Sequence, residues 1–233
     1  MENNNIPERI KLLQNAIDST LIKAKRDHNS VKVMVVIKNA SVEQIIETRN
    51  AGFDVFGENY LKNATEKFPQ LINTGFFNYF QFHMIGHLQS NKVKKAISLF
   101  SSIDSIDSIH IAKEISKNVI DHEKPYQIML EVKTSNDELK YGFHPDIILD
   151  EFGELLQLKK IHIEGLMTIG TLNGSLKETI RCFALLRTIK EKLEKSYHYQ
   201  IPVLSMGMSE DYTIAIEEGS NMLRIGRAIF GGL

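Results

Sequence analysis

Cysteine is almost absent from the chain, with Cys182 the only one in 233 residues. A lone thiol can build neither an internal disulfide nor a cysteine-based zinc site. Cys182 shares a helical pattern with Ile180, Phe183, Leu186 and Ile189, which makes it a small buried residue by expectation. Long apolar runs are missing too: none approaches the ~20 residues that cross a bilayer, and the opening Met-Glu-Asn-Asn-Asn-Ile-Pro-Glu-Arg lacks the basic and apolar regions of a secretory leader. Neither sign of charge is in excess, since 28 Lys plus Arg stand against 29 Asp plus Glu for a net charge of −1. That balance recommends neither nucleic acid nor an anionic membrane as a partner. The expectation is a cytoplasmic protein, acting as a monomer on small molecules. No linker, low-complexity tract or charge run interrupts the chain, so residues 1–233 are expected to fold as one domain.

What is present is a repeating unit of strand, helix and turn. Residues 31–39, Val-Lys-Val-Met-Val-Val-Ile-Lys-Asn, form an apolar run without clean alternation, as in a parallel strand covered on both faces. Further strands are expected at 54–56, 82–85, 102–104, 126–132, 161–167, 203–205 and 222–225. Helical spacing fills the intervals, including 42–51 after the Ser41 cap and 61–68, which Pro69 should stop. An additional helix starting near Pro7 and carrying Ile10, Leu13, Ile17, Leu21 and Ala24 precedes the first strand. Eight such units predict an α/β fold, a (β/α)8 TIM barrel with an extra N-terminal helix. An open doubly wound sheet would place a glycine-rich turn after its first strand, and Ile37-Lys38-Asn39-Ala40-Ser41 contains no glycine.

Barrels carry their chemistry at strand C-termini. Lys38 ends the first strand; buried there, it would lose proton affinity and offer an amine for a Schiff base, whereas snorkelling into water it would have no such role. Glu58 and Asn59 end the second strand, and His83 and His87 flank the end of the third. The spacing of the two histidines would suit a metal on a helix, but His83 lies in a strand and Gly86 intervenes, so no metal site is expected. Lys92, Lys94 and Lys95 read as a solvated helix face, and Glu58 as a hydrogen-bonding loop residue. Ser205-Met206-Gly207-Met208-Ser209 follows the seventh strand, and Arg224-Ile225-Gly226-Arg227 the eighth, where barrels often hold phosphate. Gly207 and Gly226 would let backbone amides approach an anion, with the Ser205 hydroxyl as a further donor; alone, either stretch reads as a simple turn. Together, a lysine at strand one, a phosphate cradle at strands seven and eight and an arginine at strand eight are the parts of a pyridoxal 5′-phosphate site. An arginine facing the pyridine nitrogen can donate to it but not readily protonate it, which leaves the ring a poor electron sink.

Several stretches carry a resemblance to a known family: Val35-Val36-Ile37-Lys38, Phe56-Gly57-Glu58-Asn59-Tyr60, His83-Met84-Ile85-Gly86-His87-Leu88-Gln89-Ser90-Asn91-Lys92, Gly165-Leu166-Met167, and the stretches after strands seven and eight. In these the chain resembles the pyridoxal-phosphate homeostasis proteins, relatives of the alanine racemase barrel. The resemblance implies Lys38 as the aldimine lysine, Ser205 with Gly226 and Arg227 at the phosphate, and Arg224 at the ring nitrogen. With Asn59, His83 and Met206 these form the expected cofactor-binding set. It further implies a role in vitamin B6 homeostasis without substrate turnover, with pyridoxal-phosphate-dependent apoenzymes as partners. The alternatives are a pyridoxal-phosphate-dependent amino-acid racemase, for which Tyr60 is the nearest internal acid or base, and a Schiff-base aldolase using Lys38 directly. The chain departs from the family pattern at Ile37, where serine is common, at Lys133, where asparagine is common, and at Arg227, where a small hydroxyl residue is common. It also lacks the tryptophan often found before the third-strand motif.

Overall fold

The computed structural model describes residues 5–231 apart from 76–79, 121–123, 136, 138–139 and 172–173. Helix α1 (Ile6–Lys23) leads, started by an Asn5 side chain that accepts from the Glu8 amide and by a proline in its first turn. Its apolar stripe of Ile6, Ile10, Leu13, Ile17 and Leu21 is buried. Then follow β1 (Lys32–Val36), α2 (Val42–Asn50), β2 (Val55–Glu58), α3 (Leu61–Asn73), β3 (Gln81–Met84), α4 (Val93–Leu99), β4 (Ser102–Ile106), α5 (Ile109–Asn118) and β5 (Tyr126–Glu131). The series continues with α6 (Pro145–Leu155), β6 (Ile161–Met167), α7 (Leu176–Tyr197), β7 (Val203–Ser205), α8 (Tyr212–Glu217), β8 (Met222–Ile225) and α9 (Arg227–Phe230). Among the described residues the eight strands pair in parallel in sequence order, and β8 pairs with β1 to close the ring. This is the expected (β/α)8 barrel with an extra N-terminal helix.

Strand alternation divides the side chains between two compartments. Val35, Ile37, Phe56, Phe82, Met84, Ile103, Leu130, Leu166, Leu204, Leu223 and Ile225 face the helices and join the main core. The opposite parity gives a smaller cluster of Met34, Val55, Ile85, Met129 and Met222 inside the barrel, with Val36 and Val203 against it. Thioethers on unbranched side chains fill the irregular lumen between strands of uneven length. The same inward parity carries His83, Ser102, Asp104, Glu131, Ser205 and Arg224, all buried.

Two features depart from the sequence expectation. Helix α3 does not stop at Pro69 but runs on to Asn73. Proline removes one helical hydrogen bond, yet Phe68 stacks on Phe82 with ring centroids 4.1 Å apart and Leu71 is fully buried, so the core grips the helix on both sides of the break. The first strand ends at Val36, two residues before Lys38. The Ile37 amide still reaches the Gly57 carbonyl (2.9 Å), after which the Ala40 amide turns back to the Ile37 carbonyl (3.0 Å).

Close backbone approach governs the loop after β3. A Cβ on Gly86 would overlap the backbone of Asn59, so the loops following β2 and β3 pack with no room for a side chain between them. Gly86→Ala is therefore expected to lower the unfolding free energy by about 1–3 kcal/mol, measured by urea denaturation. An unchanged midpoint would show that the two loops separate freely.

Candidate functional site

The ring closes between β1 and β8, in a register that sets Met34 beside Arg224 and Val35 beside Ile225. Above this seam, on the strand C-terminal side, opens a pocket of about 460 Å³. Its wall includes Val36 at the end of β1, Lys38 and Asn39 after it, Asn59 after β2, Ile85 after β3, Met208 and Ser209 after β7, and Arg224, Gly226, Arg227 and Phe230 at β8 and α9. Val36 and Lys38 share one parity, as do Arg224 and Gly226, which is why both pairs reach the same cavity.

Arg224 is the buried charge of this site. One of its guanidinium nitrogens donates to the Ser205 carbonyl (2.7 Å) and Ser205 Oγ (2.9 Å), and the other to the Thr168 carbonyl (2.8 Å). The side chain thus ties β8 to β7 and to the end of β6. Burial draws the guanidinium below its ordinary value, opposed in turn by Glu131, Asp211 and Asp104. Glu131 shows the converse effect: burial raises its carboxyl from 4.5 to about 7, with Arg224 pulling it down, Asp107 pushing it up and Lys140 pulling it down. Nearby in the lumen, Asp104 accepts from Ser102 Oγ (2.6 Å) and meets His83 Nδ1 at 2.8 Å. His87, in the loop after β3, has its own carboxylate, since its Nδ1 lies 3.0 Å from Asp107.

The loops after β7 and β8 are tied to one another. Gly207 has φ +96°, and a Cβ there would lie 2.5 Å from that of Ala215, so glycine is required at this turn. Its carbonyl accepts from the Arg224 amide (3.0 Å), and the Ala228 amide donates to Ser209 Oγ (3.1 Å).

Of the residues singled out from sequence, Lys38, Asn59, Arg224, Gly226 and Arg227 come together on this wall. Lys38 does so as an exposed rim residue, not as the buried amine of the sequence reading, because the strand ends before it and the chain turns. Arg227 points its guanidinium to Glu210 (2.7 Å) and is itself exposed. Ser205 is buried behind the wall, engaged by Arg224. His83 lies deeper in the barrel with Asp104. The structure does not bring Met206 to the pocket: it has helix-facing parity, is fully buried in the main core, and its amide donates to the Met222 carbonyl (3.2 Å). Met208 and Ser209 take that place. The alternation Ser205, Gly207, Ser209 was the signal that could have selected Ser209 over Met206.

A closed parallel barrel with a lysine after strand one and an arginine on strand eight facing one pocket defines a class, and the family model for the alanine racemase N-terminal domain matches residues 14–233. Among curated proteins, the pyridoxal phosphate homeostasis protein of Aquifex aeolicus is 32% identical over 227 residues, covering 97% of this chain and 98% of that protein. The homonymous Vibrio alginolyticus protein is 36% identical over 210 residues, covering 90% of this chain and 89% of its own. The structure of PipY from Synechococcus elongatus PCC7942 with PLP bound superposes with a TM-score of 0.81 at 32% identity, covering 92% of this chain and all of that one (100%). The alanine racemase of Clostridium difficile shares the fold at 17% identity and a TM-score of 0.77, with 98% of this chain matching 57% of that one. The chain belongs to the pyridoxal phosphate homeostasis protein family.

The raised Glu131 carboxyl has a pH signature. Between pH 4.5 and about 7 the unfolded chain releases a proton that the folded chain retains, so stability falls as pH rises through that window and levels off above it. Glu131→Gln cannot titrate. Its unfolding free energy relative to the unsubstituted protein should therefore rise across the window by on the order of 3 kcal/mol, read from urea denaturation at a series of pH values. A difference that stays constant with pH would place Glu131 at an ordinary carboxylate value.

Proposed function

We propose that this chain binds pyridoxal 5′-phosphate in the seam pocket, links it covalently to Lys38 and serves intracellular vitamin B6 homeostasis without turning over a substrate. The observation that carries this reading is the convergence of Lys38, Arg224 and Gly226 on one cavity wall, from opposite ends of the chain. The family relatives and the PLP-bound PipY structure support it.

The residues present fit the cofactor. Asn59 Oδ1 is buried on the pocket wall without a hydrogen-bond partner, as befits a group waiting for a ligand donor. Gly226 leaves the wall open where a Cβ would come 3.2 Å from the Val36 carbonyl oxygen. The donor set is cationic, and the cavity lies within the roughly 300–1,000 Å³ of small-molecule sites. Pyridoxal 5′-phosphate, when bound, supplies an aldehyde that condenses with an amine and a ring whose absorbance reports the link. Lys38 would provide that amine. Arg224, anchored at Ser205 and Thr168, would present a permanently charged donor to the ring nitrogen without protonating it, which restrains reactivity. Ser209, Gly226 and the Arg227 backbone would hold the phosphate, with Ser205 behind them fixing Arg224.

Racemisation needs proton-transfer groups on both faces of a bound amino acid, and Lys38 serves one. Tyr60, the internal candidate for the other, is 58% exposed and lines a neighbouring groove instead of this pocket. Homeostasis therefore accounts for the site better than racemase activity, with apoenzymes that need the cofactor as its receivers.

Incubation with pyridoxal 5′-phosphate should turn the protein yellow, and borohydride followed by peptide mass analysis should leave a pyridoxyl group on Lys38, lost in Lys38→Ala. A protein that stays colourless would favour the aldolase reading. The loaded protein should form no D-alanine from L-alanine beyond the free-cofactor control on chiral chromatography. Turnover abolished by Tyr60→Phe would overturn the homeostasis reading in favour of a racemase.

A further inference from the structure

We infer that Lys67 and Asn63, on the first two turns of α3, are positioning residues that hold the Lys38 segment at the pocket rim by way of the buried Glu58 carboxylate. The inference rests on the reading of Lys38 as the attachment site.

Lys67 reaches back from α3 into the gap between the ends of β1 and β2. Its Nζ donates to the Ile37 carbonyl (2.6 Å) and the Lys38 carbonyl (3.1 Å), and it pairs with Glu58 Oε2 (3.3 Å). An ammonium has three protons, and here it finds three acceptors. Asn63 Nδ2 adds a second hold on the Lys38 carbonyl (3.0 Å) and contacts Glu58 Oε1 (3.3 Å). Glu58 Oε1 also accepts from the Asn59 amide (2.7 Å) and the Tyr60 amide (3.0 Å). One carboxylate, with a side chain fully buried, therefore fixes two pocket residues relative to each other: Asn59 through its amide, and Lys38 through Lys67 and Asn63.

A turn needs no such device to be a turn. The Lys38 carbonyl lies in an exposed segment where water would satisfy it. Drawing an ammonium into a site where its side chain is only 16% exposed, against a fully buried carboxylate, costs desolvation that a surface loop need not bear. What the cluster achieves is geometry. Lys38 has a long, flexible side chain with no strand to hold its backbone, and its amine can be presented to the cavity reproducibly only if the backbone beneath it is fixed. The cluster supplies that fixed base from a neighbouring helix.

The test compares unsubstituted protein with Lys67→Met, Lys67→Arg and Asn63→Ala. The first readout is the rate at which pyridoxal 5′-phosphate becomes borohydride-trappable on Lys38. The second is hydrogen exchange of the Ile37 and Ala40 amides in ligand-free protein. Lys67→Met should slow trapping by at least roughly tenfold, since it removes charge-assisted hydrogen bonds to the Ile37 and Lys38 carbonyls and to Glu58, each worth that much or less at the turn. It should also speed exchange at Ile37 and Ala40 while leaving β5 and β6 protected. Lys67→Arg should restore most of the trapping rate. Should Lys67→Met fail to fold, Asn63→Ala carries the same comparison from a part-exposed position. Trapping at the unsubstituted rate, or exchange that rises equally throughout the barrel, overturns the positioning role. Absence of any label on Lys38 in the unsubstituted protein overturns the functional reading instead, and exchange in the ligand-free chain then decides the positioning role by itself.

Discussion

Arg224 carries a permanent charge into the middle of the barrel, and its neighbours are arranged to make that tolerable. Three hydrogen bonds to Ser205 and Thr168 anchor the guanidinium, and the acidic side chains of Glu131, Asp211 and Asp104 lower the cost of its charge. The consequence reaches beyond one side chain. A lumen that must stabilise a cation cannot be filled with aliphatic layers throughout, so the polar residues of β3, β4 and β5 line part of it while three methionines, Val55 and Ile85 form its apolar cluster.

The alternation rule that sorts these residues also explains which parts of the site could be read in advance. The strand order, barrel closure, N-terminal helix and pocket residues Lys38, Asn59, Arg224, Gly226 and Arg227 were legible because each rests on a local pattern: an apolar run, a turn residue, or a charged residue at a strand end. Met206 shows the limit of reading a segment as a block. It sits between two inward-facing positions, and counting parity along Leu204, Ser205 and Met206 would have sent it to the helix side. The length of α3 was hidden for a different reason, since the proline rule is local, whereas the burial of Phe68 and Leu71 that overrides it depends on β3.

Electrostatics was the least legible layer. Nothing in Tyr-Gln-Ile-Met-Leu-Glu-Val announces that the Glu131 carboxyl will be raised to about 7, because the shift comes from burial in the closed barrel, which outweighs the opposing pull of an arginine on a strand distant in sequence. The exposure of Lys38 was hidden likewise. A strand-forming run suggested a strand continuing to the lysine, but pairing with β2 and the turn closed at Ala40 end it sooner. Glu58, which reads as an ordinary loop residue, proves to be fully buried and to connect two strand ends with a helix.

The seam has a consequence for how the molecule comes into being. Because β1 is completed by β8, residues 32–35 are synthesised well before residues 222–225, the partners they pair with. The strand that leads to Lys38 has β2 to pair with early, but its other edge stays open until Met222–Ile225 is released from the ribosome. A chain that has not yet supplied β8 lacks Arg224 and Gly226 and so holds only part of the pocket wall. Closure and binding competence are thereby coupled in time, and truncated chains lacking the last strand would present the lysine without the arginine that confronts it across the seam.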